Sequence, residues 1–228
     1  VDKSTINKGG FMIKIKVWSD FDCPYCYISK HQIAKELAEM GITDYELEML
    51  PYQLSPEKFN EPERTFFDAL ELTSKSDQLS AQASFEKIFA LGQTVGLEVR
   101  LATAPSVNTA LAHRLVLWAK ENNPSLVSSL IERLFQAHLS DNEDISSHQN
   151  LIAYAREVGF EDEASIKAGL EDETYQDKLD DYLDLSYDDD IELIPHYYLP
   201  NQVQFAGIPP VSEMKRRLNL AFTPKSDH

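Results

Sequence analysis

Trp18-Ser19-Asp20-Phe21-Asp22-Cys23-Pro24-Tyr25-Cys26-Tyr27-Ile28-Ser29-Lys30 holds the only two cysteines of the 228-residue chain. The run before it, Met12 to Trp18, alternates apolar and polar side chains, the period of a half-buried strand. The run after it, Tyr27 to Met40, puts Ile28, Ile33, Leu37 and Met40 on one face of a helix. Pro24 suits the first helical position, where a missing N–H breaks no bond. The stretch reads as strand, short loop, C-x-x-C, helix, and a C-x-x-C pair at that junction points to thiol–disulfide exchange.

The placement has a chemical reason. Exchange needs a thiolate, and a free thiol with a pKa of about 8.5 is mostly protonated at neutral pH. A helix N-terminus offers unpaired N–H groups and the positive end of the helix dipole, both favouring an anion. Cys23 lies at that end and is expected to be the exposed nucleophile. Cys26 lies one turn further in and is expected to be the more buried, resolving thiol. A four-ligand zinc site would need two further ligands. No second cysteine pair exists, and His31, His113, His138 and His148 are scattered, so no metal is expected.

A hydrophobic content of 43% with 10% aromatics belongs to a globular chain with a substantial core. The formal net charge of −17 argues against nucleic acid and anionic membrane surfaces as partners. Eleven carboxylates crowd residues 171–192 against the single Lys178. Leu179, Tyr182, Leu183 and Leu185 still provide an apolar stripe there, so the run reads as a solvated helix face. No stretch approaches the ~20 apolar residues of a membrane span. Residues 1–11 are polar and are read as an N-terminal extension without the apolar region of a secretory signal. Together with two cysteines paired in one motif, this suggests a cytoplasmic protein.

Further along, a second strand is expected at Tyr45–Tyr52, and prolines break regular structure between Ser55 and Arg64. Helices are expected over Thr65–Ser74, Asp77–Val95, Ser106–Asn122, Pro124–His138, Ile145–Val158 and Glu161–Leu185. Asp77 and Ser106 are N-cap candidates and Gly159 a C-cap candidate. After Asp190 the period changes. Ile191–Leu199 surrounds Pro195, Asn201 and Gln202 make a turn, Val203–Ala206 is a short strand, and Pro209-Pro210 opens a last helix, Val211–Ala221. The order is β-α-β, a helical block, then β-β-α. The two ends must meet in one sheet, so residues 12–54 and 188–228 are assigned to one domain and 55–187 to an all-helical insertion.

The Trp18–Lys30 stretch closely resembles the active-site signature of the DsbA-like thioredoxin-fold family, in particular its FrnE-like branch, which reads S-D-x-x-C-P-W-C-Y-x-G-K. Ser106–Leu115 is similar to that branch's N-T-x-x-A-H-R-L helix start. Asp144–His148 resembles its D-I segment, and Ile194-Pro195 with Gly207 and Pro210 resembles its cis-proline loop and final strand. The resemblance implies an α/β thioredoxin fold with a large helical insertion. It also implies thiol:disulfide oxidoreductase activity on protein or small-molecule disulfides, with glutathione as a redox partner rather than a bound cofactor. It makes Pro195 a cis-proline facing the sulfurs, and the Ile194 backbone a pairing site for extended substrate beside Pro24 and Tyr25.

Tyr25 departs from the branch's tryptophan, and Leu193-Ile194-Pro195-His196 departs from its Gly-Val-Pro-Phe approach. His196 is expected to be a partly exposed strand residue. Asn108 and His113 belong to a helix that the family packs over the active-site mouth, as cap and packed side chain or as contacts to substrate. Asp20 and Asp22 would raise a nearby thiol pKa, and are read as solvated loop carboxylates. Two other functions fit the same fold. One is a glutathione-dependent transferase or isomerase of the kappa-class or chromene-carboxylate type, which typically has serine at the Cys23 position. The other is a chaperone-like binding module. The motif encodes neither the direction of electron flow nor the oligomeric state.

Overall fold

The alternation around Lys14 and Lys16 forms strand β1 (Ile13–Ser19), the inner strand on which the sheet is built. The computed structural model describes residues 13–222, so the expected extension 1–11 and Met12 lie outside the described residues. Helix α1 (Pro24–Glu39) follows, and β2 (Tyr45–Pro51) returns parallel to β1, pairing Val17 with Met49. Near the other end of the chain come β5 (His196–Tyr198) and β6 (Gln204–Ala206). They complete a sheet of order β2-β1-β5-β6, with β5 antiparallel to both neighbours. The last helix, here α9, covers Val211–Phe222.

Between β2 and β5 lie β3 (Glu61–Thr65), α2 (Phe66–Ala69), α3 (Lys75–Gln93), β4 (Pro105–Ser106), α4 (Ala110–Asn122), α5 (Val127–Leu139), α6 (His148–Glu157), α7 (Glu163–Glu171) and α8 (Thr174–Asp188). The β-α-β, helical block, β-β-α order expected from the sequence is present, but the block expected to be all-helical also holds a two-stranded sheet, β3 with β4. The sheet's period of two explains how the block is held. Ile15, Val17 and Tyr197 point into a core shared with Ile33 and Leu37 of α1 and with Met214 and Leu218 of α9. Trp18 points to the other face, into the larger core built with the helical block, edge-on to Tyr182 of α8. Within that block Gly169 lets α7 approach α4, since a Cβ there would lie 2.1 Å from the Trp118 ring.

Several local expectations are corrected. Strand β3 occupies Glu61–Thr65, where regular structure was expected to break between Ser55 and Arg64, and pairs antiparallel with β4, while the helix expected over Thr65–Ser74 keeps only one turn, capped by Thr65. Ser106 lies in β4 rather than at a cap, and α4 begins only at Ala110. Ser74, not Asp77, caps α3. Its hydroxyl accepts from the Asp77 N–H and donates to the Asp77 carboxylate. The single helix expected over Glu161–Leu185 breaks at Asp172, whose carboxylate accepts from the Thr174 N–H and hydroxyl and starts α8. Gly159 does stand just past α6, at φ +112°. The turn at Asn201 and Gln202 is made with positive φ at both.

Candidate active site

Cys23 is the N-cap of α1, with extended backbone angles, and Pro24 follows at the first helical position. Its Sγ accepts a hydrogen bond from the Cys26 N–H at 3.2 Å. The cap is thus supplied by sulfur itself, and any negative charge on it faces the helix N-terminus. Both residues are thiols and both are buried, Cys23 at 3% exposure and Cys26 at 2%. The expected contrast between an exposed and a buried sulfur is absent, because Phe21 and the helical block close over the loop. Burial holds the Cys23 thiol well above its ordinary range. The Cys26 thiol and the nearby Asp20 carboxylate act in the same direction, and the Cys26 N–H only partly opposes them.

The two aspartates are not solvated. Asp20 is 1% exposed and Asp22 6%. Asp20 accepts from the Leu54 N–H at 2.8 Å and the Asp22 N–H at 3.4 Å, and its Oδ1 lies 3.2 Å from His113 Nε2 on α4. Asp22 Oδ1 lies 2.9 Å from His138 Nε2 on α5, and its Oδ2 accepts from Lys58 Nζ at 2.6 Å. Burial pushes the Asp22 carboxyl up, but the His138 hydrogen bond and the charges on His138 and Lys58 outweigh it and hold it below the ordinary value. The loop carrying the dithiol is therefore tied to the helical block by two buried Asp–His pairs. Phe21 fills the space between them, 4.9 Å from both the His113 and Phe135 rings.

A third tie joins α1 to α5. Glu132 accepts from Tyr27 OH at 3.0 Å, lies 2.8 Å from His31 Nε2 and pairs with Lys30, while Tyr27 stacks on Phe135 at 5.1 Å. Partial burial raises the Glu132 carboxyl, but His31 and Lys30 outweigh it and bring it from 4.5 to about 2. A carboxylate held below its unfolded value stabilises the fold fully above that value and loses the contribution as pH falls through the folded one. Glu132→Gln is expected to lower stability at pH 7 by about 2 kcal/mol, discounted for the side chain's partial exposure. The deficit should persist down to pH 4.5 and shrink between 4.5 and 2. Urea denaturation of both proteins across that range checks it, and a deficit constant with pH would exclude the linkage.

Pro195 follows Ile194 through a cis peptide bond, and both are buried. Tyr25, between the two cysteines, is 43% exposed, and exposed apolar side chains also stand at Leu54, whose N–H donates to Asp20, at Phe59, next to the Lys58 that pairs with Asp22, and at Leu193, next to Ile194. His196 is partly exposed, 3.3 Å from Gln204 and packed on the Tyr198 ring. Asn108 acts as a clamp. Its carbonyl oxygen accepts from the Ala110 N–H at the start of α4 and from Gln53, and its amide donates to the Pro56 and Lys58 carbonyls. His113 is packed against Asp20 rather than lining an open mouth. Sequence reasoning missed the roles of His138, Lys58 and Phe135 in the site. His138 lies 116 residues from its partner Asp22, and no local pattern marks it. Among the described residues no three His, Cys, Asp or Glu side chains form a group that could hold a metal ion.

A C-x-x-C dithiol capping the first helix of a β-α-β/β-β-α sheet, with a cis-proline before the third strand, defines a thioredoxin-fold dithiol protein. The chain belongs to the DsbA-like thioredoxin domain family, whose model matches residues 14–219. The uncharacterized protein YwbO of Bacillus subtilis is 29% identical over 198 residues, covering 84% of this chain and 88% of that one. Among solved structures, a probable DsbA oxidoreductase from Streptomyces coelicolor superposes with a TM-score of 0.80 at 22% identity, covering 95% of this chain and 92% of that one. A 2-hydroxychromene-2-carboxylate isomerase superposes at 0.60 with 14% identity, covering 91% and 97%. Among the described residues no helix is long and apolar enough to cross a membrane.

Proposed function

We propose that this protein is a thiol:disulfide oxidoreductase in which Cys23 is the nucleophile and Cys26 the resolving thiol. The observation that carries the reading is the Cys23 sulfur at the helix N-cap, accepting the Cys26 N–H. An anion at that atom meets a backbone donor and the helix dipole, while Cys26 stands one turn away to complete the exchange. In the reducing direction, Cys23 thiolate attacks a substrate disulfide, forms a mixed disulfide and releases one substrate thiolate. Cys26 thiolate then attacks the Cys23 sulfur, closing the Cys23–Cys26 disulfide and releasing the second. Two electrons pass from the dithiol to the substrate.

Two features refine the reading. Burial and Asp20 disfavour the Cys23 thiolate. A dithiol whose thiolate is not stabilised gives up its electrons readily, which favours the reducing direction. The exposed apolar side chains of Tyr25, Leu54, Phe59 and Leu193, on the dithiol motif and on segments bonded to its loop or next to the cis peptide, suit a polypeptide presenting apolar residues beside its disulfide, lying along Pro24, Ile194 and Pro195. On this reading residues 12–54 and 188–228 form the catalytic domain, and the insertion 55–187 supplies the side chains that close over it. Glutathione enters as redox partner.

The test is equilibration in glutathione redox buffers, alkylation of free thiols with a mass label, and intact-mass counting. The expected result is cooperative loss of two labels, occurring while most glutathione is still reduced. Two labels at every ratio would exclude an exchangeable Cys23–Cys26 couple. Tight glutathione binding in that case would favour the transferase or isomerase class.

A further inference from the structure

The acidic run of residues 171–192 does not end with the solvated face of α8. Past that helix it continues through Asp190 and Glu192 into Leu193 and the cis Ile194–Pro195 bond. Both of these carboxylates are exposed. The loop after β2 brings a third. Glu57 is exposed between Pro56, whose carbonyl accepts from Asn108, and Lys58, which reaches in to Asp22 beside Cys23. The two segments are joined, since Tyr52 OH donates to the Ile191 carbonyl at 3.4 Å. The cations of this region are held by internal partners. Lys58 pairs with Asp22, while Lys30 and His31 pair with Glu132. Among the described residues Glu57, Asp190 and Glu192 have no Lys, Arg or His partner. Exposed charge acts well beyond contact, over about 8 Å at physiological salt and about 30 Å at 0.01 M. The potential in front of the dithiol therefore depends on which segments carry the carboxylates, not on where each one points.

We propose that the polypeptide reduced by Cys23 and Cys26 carries Lys or Arg beside its disulfide, and that Glu57, Asp190 and Glu192 select it. This rests on the dithiol reading above and names the class of substrate for the same site. The exposed Tyr25, Leu54, Phe59 and Leu193 can receive apolar side chains of many polypeptides. The carboxylates on the same segments tell those polypeptides apart by charge, drawing in basic flanks and repelling acidic ones. They form no site of their own, since the reacting atoms are the two sulfurs. Cys23 attacks one sulfur of the peptide disulfide and Cys26 then closes on Cys23. The peptide disulfide is reduced to two thiols as the protein dithiol is oxidised to a disulfide. Glutathione disulfide, an anion at neutral pH, falls among the repelled partners, so it equilibrates with the dithiol slowly but to the same end point.

The experiment is a single-turnover reaction of the dithiol protein with two disulfide-closed peptides, acid-quenched and read by intact mass. The peptides are identical except that Lys flanks the cysteines in one and Glu in the other. Basic flanks also make a departing thiol leave faster, so each rate is divided by the rate of the same peptide with neutral dithiothreitol. A carboxylate about 8 Å from a substrate charge changes the rate roughly twofold in water. With three of them, the corrected Lys-over-Glu ratio is expected to reach about tenfold or more at about 0.01 M salt, and to fall towards one at about 0.5 M. In Glu57→Gln/Glu192→Gln the ratio should drop about threefold or more. In Glu39→Gln/Asp44→Asn it should stay as in wild type. That variant removes the same net charge from exposed positions at the end of α1 and before β2, away from Cys23. A wild-type ratio near one at low salt would overturn the proposal. So would an equal drop in the two double variants, which would assign the preference to the overall charge of the protein. Should the site variant fail to fold, the wild-type ratio and its salt dependence decide. A protein that reduces neither peptide would instead defeat the dithiol reading, and the selectivity with it.

Discussion

Cys23→Ser is expected to reduce disulfide exchange to the uncatalysed level, a loss of roughly three orders of magnitude or more, while leaving the fold as stable as before. The two halves of this expectation come from the same atom. On the proposed function sulfur at position 23 is the nucleophile, and a serine hydroxyl cannot replace it without a strong base beside it. The same atom is the N-cap of α1, accepting the Cys26 N–H, and serine is among the best residues at that position. Stability should therefore change by no more than about 0.5 kcal/mol. Insulin reduction and urea denaturation, measured on one preparation, check both halves. Retained exchange in Cys23→Ser would overturn the nucleophile assignment. Cys26→Ser should behave differently, accumulating a mixed disulfide on Cys23 that intact mass detects.

His138→Leu is expected to lower stability by about 3 kcal/mol or more. His138 is fully buried, and Asp22 is nearly so. Removing the imidazole leaves a buried carboxylate that keeps only Lys58 among its charged partners. The sign with pH follows from the depressed Asp22 value. The wild-type pair contributes fully above the ordinary carboxylate range and loses its contribution on acidification. The gap between wild type and His138→Leu should therefore be widest near neutrality and narrow below about pH 4. Leucine is apolar and of similar bulk, so a cavity is not the cause of the loss. Urea midpoints at pH 7 and at about pH 2.5 measure it; equal midpoints for the two proteins at pH 7 would show that the pair adds nothing.

The part of the fold legible in the sequence was the part written in local periods. The alternation of Met12–Trp18, the helix face of Ile28, Ile33 and Leu37, and the turn at Asn201 and Gln202 each rest on neighbours a few residues apart. The fold class followed from the motif and the order of the elements, and it is the one observed. The errors arose where a local signal has two structural meanings. Asp77 is acidic near a helix start, which fits both a cap and the third position of a capping box. The prolines of Ser55–Arg64 read as a break in regular structure, yet Glu61–Thr65 pairs with Pro105–Ser106, and pairing across some forty residues leaves no local mark.

The candidate site divided the same way. Cys23, Pro24, Tyr25 and Cys26 are contiguous and visible. Asp20 and Asp22 were visible too, but not as buried groups, because their burial depends on His113 and His138 arriving from α4 and α5. A carboxylate looks solvated in sequence until its distant partner is known.

The tethering of the Cys23 loop by residues from three distant segments also sets a timetable. Chains emerge from the ribosome N-terminus first, at about 5–20 residues per second. Both cysteines therefore emerge roughly 170 residues before Pro195, and at those rates the interval is about 10–35 seconds. During it β1 has no β5 to pair with, and for the first part neither Asp20 nor Asp22 has its histidine. The nascent protein thus carries an unshielded dithiol, whereas in the fold both thiols are buried. Synthesis in a reducing environment, or prompt capture of the emerging segment by a folding helper, would keep that early reactivity from fixing the wrong sulfur bond before the enzyme exists.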